Sequence, residues 1–211
     1  MRSVVALTMA MLAFGSVASA QDDRGYVEGV LQSAFGNVTS QSYGVEAGVT
    51  ITRRVQVFGE FGAVRDVATA SIGTAAQQIA GFLSQTQSNV AYRVKQPVTF
   101  GAGGVKFIIP TSGSLRPYVL AGAGIASVKQ DVIFTVGGSD VTSALAAQYG
   151  VQLGSDLSGS FTKPMITAGA GLMWPAWQRL VVDVNYRFGR ILAEDEGINV
   201  SRAGIGVGVR F

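Results

Sequence analysis

The chain has 211 residues, which is enough for a single domain of ordinary size. Hydrophobic residues make up 48% of it and charged residues only 14%, against about a quarter in a typical soluble domain. The formal net charge of +3, with no basic run, does not indicate a nucleic-acid-binding protein, and the lack of cysteine excludes disulfides. Beyond residue 20 there is no apolar run of about 20 residues, so a membrane-spanning helix is excluded. The hydrophobic residues must therefore alternate with small and polar ones.

The first twenty residues have the three parts of a secretory signal peptide. Arg2 supplies the positive charge, Val4 to Phe14 form a short apolar stretch, and Ala18-Ser19-Ala20 form a small-residue cleavage site. An N-terminal anchor helix is the alternative, but the apolar stretch is too short to span a bilayer. We therefore predict that residues 1–20 are cleaved off and that residues 21–211 form one exported domain.

Strands are indicated by alternation with a period of two. Between Leu180 and Phe188, apolar residues at the even positions alternate with an odd-numbered set that includes Asp183 and Arg187. Such alternation is typical of a β-strand whose two faces meet different surroundings. The sequence contains eight segments of this kind, at residues 25–35, 42–51, 55–65, 97–108, 117–128, 165–174, 179–190 and 199–211.

The connections between these segments alternate in kind along the chain. The tight turns, which carry Pro, Gly or charge, are residues 52–54, 110–115 and 175–178. The remaining loops are residues 36–41, 66–92, 129–162 and 194–197, and the second and third of these are long. Tight turns on one side and larger loops on the other are the layout of a transmembrane β-barrel. With an even number of strands, both termini lie on the side of the tight turns.

These features resemble the small outer-membrane β-barrels of the OmpA/OmpX type. The resemblance rests on the signal peptide, the strands, the turn and loop lengths, and the terminal Gly-x-Gly-x-Arg-Phe at residues 206–211. It implies an all-β, eight-stranded antiparallel up-and-down transmembrane barrel with short periplasmic turns and two long extracellular loops. It also implies a place in a Gram-negative outer membrane, among lipid and lipopolysaccharide. In that class a C-terminal aromatic residue is recognised by the barrel-insertion machinery, a role that the resemblance assigns to Phe211.

Alternation alone also fits a soluble ligand-binding barrel, in which the apolar face points inward. Side-chain size distinguishes the two, because the interior of an eight-stranded barrel has room only for the side chains that fill it. One face carries the bulky residues Val45, Val57, Phe61, Val182, Tyr186, Phe188, Ile205, Val207 and Phe211. The other carries Gly204, Gly206, Gly208 and isolated charges, which are costly in hydrocarbon. We therefore predict that the bulky face contacts lipid and that the charges point inward.

Aromatic residues near the strand ends predict two belts at the membrane interfaces. The belt beside the periplasmic turns comprises Phe107, Trp174, Trp177 and Phe211, with Tyr118 as a further candidate. The opposite belt comprises Phe35, Tyr43, Tyr186 and Phe188.

A three-residue turn at 52–54 would place Glu46 directly across from Glu60 on the inner face. Two carboxylates side by side at low dielectric require a neighbouring cation or a proton on one of them. We therefore predict an ion-pair network inside the barrel, answered by Arg187 or Arg202. The complete predicted set is Glu28, Glu46, Glu60, Lys106, Asp183, Arg187, Arg202 and Arg210.

Within this set, Glu28 is expected near Arg210, where the first strand closes on the last. The network could form a gate or narrow polar conduit, or a static plug that satisfies buried charges. A catalytic pair of carboxylates fits the residue types but would meet no substrate inside the barrel.

The sequence has no histidine, which removes His-based acid–base chemistry, Ser-His catalysis and His metal sites. No catalytic residue, cofactor or metal site is predicted. The acidic run Glu194-Asp195-Glu196 is either a solvated loop tip or a weak surface site for a divalent cation.

The two long loops contain apolar residues at helical spacing. One set is Ile72, Ala75, Ile79 and Phe82/Leu83, and the other is Val141, Ala144/Leu145 and Tyr149, between Asp140 and Gly150 as caps. These short helices either cover the barrel mouth and headgroups or form a recognition surface. We expect a non-enzymatic structural or surface-interaction protein whose external ligand the sequence does not identify; the alternative is a narrow pore for ions or small solutes.

Overall fold

The structure is a computed structural model that describes residues 24–145, 147, 157–193 and 197–211. The predicted signal peptide and the acidic run at 194–196 lie outside the described residues, as do Tyr149 and Gly150 of the second predicted helix.

The described chain is mostly β-strand. The ten strands are β1 (Gly25–Phe35), β2 (Ser40–Thr52), β3 (Val55–Val64), β4 (Val90–Lys95), β5 (Val98–Ile108), β6 (Arg116–Val136), β7 (Ser139–Asp140), β8 (Ser158–Pro175), β9 (Leu180–Ile191) and β10 (Ile198–Arg210). One α-helix, α1 (Ala70–Leu83), lies between β3 and β4, and a 3₁₀ turn covers Thr142–Ala144. No helix in the described part of the chain is both long and apolar enough to cross a membrane.

Eight of these strands close into an antiparallel barrel. They follow the order β1, β2, β3, β5, β6, β8, β9 and β10, and β10 pairs with β1 to complete the cylinder. The backbone N–H of Phe211 donates to the carbonyl of Gly25 at 2.9 Å, and the N–H of Gly25 donates back to Phe211 at 2.9 Å. The predicted eight-stranded up-and-down barrel is confirmed, and its two ends are joined through the C-terminal residue.

Two barrel strands extend well beyond their predicted limits. β6 has 21 residues and β8 has 18, whereas the alternation predicted segments at 117–128 and 165–174. Both extensions lie on the extracellular side, where the strands leave the lipid. Since one face there no longer has to be apolar, the polar residues from Lys129 to Asp131 interrupt the pattern without ending the strand.

Each strand presents alternate residues to the interior and to the lipid, in the predicted sense. Phe61 on β3, Val184 on β9 and Ile205 on β10 are exposed on the outer surface. Glu46 and Asp183, one residue out of phase with that set, are buried inside. The glycines at 204, 206 and 208 of β10 also lie on the inner face, where added Cβ atoms would meet the backbone or side chains of β1.

The extracellular end carries a folded lobe, which we define as residues 68–95 and 131–145 together with Leu157. After a break at Gln96 and Pro97, β4 keeps the same register against β6 that β5 has below it, with Lys95 opposite Asp131. β6 then turns through Gly137 and Gly138, both at positive φ, and pairs with β7.

Helix α1 packs on this sheet extension. The lobe's buried core is Ile72, Ala76, Ala80, Leu83, Val132, Phe134, Leu145 and Leu157. The predicted helix therefore exists, and Ile72 and Leu83 of the predicted set are buried while Ala75 and Ile79 pack against the core. The centre of the buried face is shifted by one residue, to Ala76 and Ala80, and Phe82 points to solvent. The reason is that small residues allow the helix to approach the sheet closely.

In the second long loop, the structure describes the 3₁₀ turn in place of the first part of the predicted helix. The backbone N–H of Thr142 donates to Oδ1 of Asp140 at 2.9 Å. Hydrogen bonds from the side chain and backbone of Thr142 hold the pKa of Asp140 below its usual value. This carboxylate therefore helps to fix the chain where it leaves β7.

The lobe core predicts a lobe-specific loss of stability. Phe134 is fully buried in it, whereas Phe82 on the same lobe is 56% exposed. Phe134→Ala should lower the free energy of unfolding of the lobe by about 3–5 kcal/mol, because it leaves a cavity. Phe82→Ala should change that free energy by no more than about 0.5 kcal/mol. Hydrogen exchange of the α1 and β4 amides measures the effect. Equal exchange in the two variants would contradict an independently packed lobe.

Candidate functional site: the charged layer inside the barrel

The barrel interior is filled by three layers of side chains. On the extracellular side the upper apolar layer comprises Ala34, Val64, Val67, Val98, Phe100, Ala102, Ala126, Val128, Met165, Ile191, Ile198 and Val200. On the periplasmic side the lower apolar layer comprises Tyr26, Phe58, Ile108, Tyr118, Leu120, Met173 and Val181. Between them lies the charged layer, formed by Glu28, Glu46, Glu60, Lys106, Asp183, Arg187 and Arg202, all buried.

Glu46 is the most densely contacted carboxylate of the charged layer. Its Oε1 accepts hydrogen bonds from Nζ of Lys106 at 2.8 Å and from the hydroxyl of Tyr26 at 2.5 Å. Its other oxygen forms an ion pair with Nη2 of Arg187. Side chains of β1, β5 and β9 thus contact β2, and of these three strands only β1 is also paired with β2 in the sheet.

Glu60 lies directly opposite Glu46 in the β2–β3 register, as the turn geometry predicted. Nη1 of Arg187 donates to Oε2 of Glu60 at 3.0 Å, and Nη1 of Arg202 donates to Oε1 at 2.9 Å. Arg187 therefore bridges the two carboxylates, and both predicted arginines take part. This arrangement reduces the repulsion that two adjacent carboxylates would otherwise have.

Asp183 is held by neutral partners. Its Oδ2 accepts hydrogen bonds from the Tyr118 hydroxyl at 2.7 Å and from the Asn185 amide at 2.9 Å. The carbonyl oxygen of the Asn185 amide in turn accepts from Gln32 at 2.6 Å. These polar residues were not predicted as members of the site, although their parity along the strands matches that of the charges.

Aromatic rings line the cations of the charged layer. Nζ of Lys106 lies 4.2 Å from the ring centroid of Tyr118 and 4.8 Å from that of Tyr26. The Arg202 guanidinium lies 4.3 Å from the ring centroid of Phe100, which belongs to the upper apolar layer. Cation–π contacts of this kind attract a desolvated cation to the ring face. They connect the charged layer to the apolar layers on both sides.

The predicted pairing of Glu28 with Arg210 does not form. In the β1–β10 register Arg210 lies opposite Tyr26, one inward-facing position closer to the periplasm than Glu28. Arg210 donates instead to the carbonyl oxygen of Trp177 at 3.2 Å. The Glu28 carboxylate is 1% exposed and accepts no hydrogen bond from any described residue. The expected pair failed because the strand register separates the two side chains.

Tyr118 is also placed differently from its prediction. It was a candidate for the periplasmic aromatic belt, but it is buried in the lower apolar layer. A Cβ on Gly171 would lie 2.5 Å from the Tyr118 hydroxyl and Cζ, so the ring occupies the space that this glycine leaves open. Tyr26 fills the space over Gly48 in the same way. Glycine opposite tyrosine is therefore how the narrow interior admits two large rings.

The filled interior leaves little free volume. A cavity of about 20 Å³ lies at the periplasmic end, lined in part by Tyr26, Gln56, Met173 and Arg210. That volume is comparable with the space for a single water molecule. Among the described residues no group of three or more acidic side chains is arranged to hold a metal ion.

Comparisons with known proteins agree with this architecture. The sequence matches the family described as outer membrane protein beta-barrel domain over residues 4–211. The chain belongs to this family. A search of curated proteins gave no match.

Solved structures with the same fold are only distantly similar in sequence. Neisserial surface protein A is 13% identical, with a TM-score of 0.55, over 89% of this chain and 96% of that chain. A major outer membrane protein from Thermus thermophilus is 9% identical, with a TM-score of 0.52, over 88% and 99%. The N-terminal β-barrel domain of Pseudomonas aeruginosa OprF is 19% identical, with a TM-score of 0.48, over 90% and 98%. The first two show the fold.

The protein is therefore a bacterial outer-membrane barrel whose outer surface is in contact with lipid. Of the nine residues proposed for the aromatic belts, all except Tyr118 are exposed on that surface, namely Phe35, Tyr43, Phe107, Trp174, Trp177, Tyr186, Phe188 and Phe211. The Phe35 and Tyr186 rings contact each other, with centroids 6.2 Å apart. The roles proposed for the belts and for Phe211 remain predictions.

The charged layer predicts that Arg187 is important for stability. Arg187→Gln removes one cation from each of two buried carboxylates and should lower the free energy of unfolding by about 3–5 kcal/mol. Arg190→Gln, on the exposed outer face of the same strand, should lower it by no more than about 0.5 kcal/mol. Urea unfolding of the barrel in lipid vesicles measures both values. Similar values for the two variants would contradict a stabilising ion-pair network.

Proposed function

We propose that the protein is a non-enzymatic membrane anchor that presents its extracellular lobe for interaction with another molecule. The lobe carries the proposal, because it has a buried core of eight residues that the barrel does not need for closure. A loop that only connected two strands would not need such a core. The barrel supplies attachment to the outer membrane, and the lobe supplies a surface of fixed shape.

The filled lumen supports an anchor over a pore. A permeating ion would have to cross two apolar layers, and hydrophobic constrictions block ions by excluding water. The ion pairs of the charged layer also engage Glu46 and Glu60, two of the four carboxylates of the predicted network. The network therefore acts as a static plug in which Glu46 and Glu60 are neutralised by ion pairs.

The remaining parts of the proposal concern export and surroundings. Residues 1–20 act as a signal peptide that is cleaved before Gln21, and the exported domain begins there. Phe211, which is half exposed at the end of β10, is the residue that the barrel-insertion machinery recognises. Lipopolysaccharide surrounds the extracellular end of the barrel, below the lobe.

An electrical measurement separates the anchor from the pore. The purified barrel in a planar lipid bilayer should show no discrete current steps under applied voltage, and a porin in the same bilayer serves as the positive control. The variants Glu60→Gln and Arg202→Gln should be equally silent. Discrete openings in the wild type whose size changes in either variant would overturn the anchor and favour a pore.

A binding comparison tests the lobe itself. The backbone N–H of Val67 donates to the carbonyl of Gln96 at 3.0 Å, so a Gly-Ser turn can replace residues 68–95 at that point. We expect cells or envelope extracts that bind the wild-type barrel to lose binding to this variant. Arg190→Gln, which leaves the lobe intact, should bind as the wild type does. Equal binding by the wild type and the lobe-replaced variant would contradict the proposal.

A further inference from the structure

The periplasmic end of the barrel carries an unusual set of charges. Its basic residues are all arginines, and we call this set the arginine rim: Arg24, Arg53, Arg54, Arg116, Arg179 and Arg210. The four lysines of the chain all lie elsewhere, at Lys95, Lys106, Lys129 and Lys163. The rim residues come from the tight turns and strand ends, so the barrel closure brings them onto one circle.

No acidic residue balances this rim in the described part of the chain. The described carboxylates of the lumen are Glu28, Glu46, Glu60 and Asp183, and those of the extracellular side are Asp66, Asp131 and Asp140. Among the described side chains, the extracellular end therefore mixes both signs of charge, whereas the periplasmic end presents one sign; Asp22 and Asp23, which precede Arg24 in the sequence, lie outside the described residues. A surface of one sign attracts ligands of the opposite sign.

Most of the rim guanidinium groups are available. Arg53, Arg54, Arg116 and Arg179 are exposed, and none has a hydrogen bond or ion pair through its side chain with another described residue. Arg210 is held in the protein, in part by its hydrogen bond to the Trp177 carbonyl. Exposed cations without partners among the described residues are suited to a ligand from outside the protein.

The depth of the rim identifies that ligand. Trp174 and Trp177, 49% and 75% exposed, lie beside it on the outer surface, as does Phe211. Such aromatic rings mark the level of the lipid headgroups. The turn between β2 and β3 has only Arg53 and Arg54 outside the strands, so these guanidinium groups remain at that level.

We propose that the arginine rim binds the phosphate groups of anionic phospholipids in the periplasmic leaflet of the outer membrane. The planar guanidinium matches a phosphate through two parallel hydrogen bonds, which explains the use of arginine instead of lysine. The cell wall polymer also carries anionic groups, but the short turns do not extend toward it. This inference requires the outer-membrane location and is independent of the proposed surface role.

The two tryptophans provide the measurement, since the chain has no others. The folded barrel is reconstituted in phosphatidylcholine vesicles that contain a fixed fraction of brominated lipid, either phosphatidylglycerol or phosphatidylcholine. Bromine quenches tryptophan fluorescence on contact. We expect brominated phosphatidylglycerol to quench severalfold more effectively at low salt, and this preference to weaken at high salt. Equal quenching by the two lipids would overturn the proposal.

Variants assign the preference to the rim. We define the quenching ratio as the quenching by brominated phosphatidylglycerol divided by that by brominated phosphatidylcholine. The triple variant Arg53→Gln, Arg54→Gln and Arg179→Gln should reduce this ratio to near one. The control triple Arg93→Gln, Lys95→Gln and Lys129→Gln, at the extracellular side, should leave the ratio unchanged. Replacing the same three residues by lysine should retain much of the preference for phosphatidylglycerol, because the positive charges are kept. That result would attribute the loss in the glutamine variant to the missing charge and not to substitution at these positions.

Binding to purified cell wall tests the competing ligand. If the neutral rim variant loses binding to cell wall sacculi while its lipid quenching ratio stays at the wild-type value, the lipid assignment is wrong. An unchanged ratio in that variant overturns the proposal in any case. Neither outcome affects the lobe-binding experiment, so the two proposals fail separately.

Discussion

The structure depends on the bridge that Arg187 makes between Glu46 and Glu60. Hydrocarbon surrounds the barrel, so any charge on a membrane-spanning strand has to point inward, and an eight-stranded interior has no room to hydrate it. Buried charges in such an interior are stabilised by ion pairs with one another or by hydrogen bonds from polar side chains. Because the bridge joins β9 to β2 and β3, and Lys106 and Arg202 add β5 and β10, the ion pairs connect strands that share no backbone hydrogen bonds. The ion pairs that neutralise Glu46 and Glu60 therefore also link strands across the closed barrel.

Much of this could be predicted from the sequence, because a period of two assigns every residue of a strand to a face. The position of Glu46 opposite Glu60 needed only the length of one turn. The β1–β10 closure was harder, since its register depends on both ends of the chain, and the expected Glu28–Arg210 pair was therefore wrong. Inward-facing rings such as Tyr118 were missed because bulk alone does not reveal the face. The glycine that makes room for the ring lies on another strand.

The extracellular lobe shows a different limit. Helix α1 and most of its buried face were predicted from the apolar spacing, but the centre of that face at Ala76 and Ala80 was not, because the partner sheet was unknown. That sheet is a continuation of β6 into water, where the lipid no longer enforces an apolar outer face. The sequence pattern therefore fades at Lys129 although the backbone pairing continues to Val136. The alternation of apolar and polar residues therefore marks the part of a strand that lies in the membrane, and it does not mark the full length of the strand.

The filled lumen has a consequence for where function can reside. Since the two apolar layers and the charged layer occupy the interior, neither solute nor signal has an evident polar path from one end to the other. If the barrel is an anchor, as proposed, function lies at the two ends, and these are built differently. The extracellular end has a buried core of its own, whereas the periplasmic end consists of short turns that carry exposed arginines. One end is suited to a specific partner in solution, and the other to the membrane that holds it.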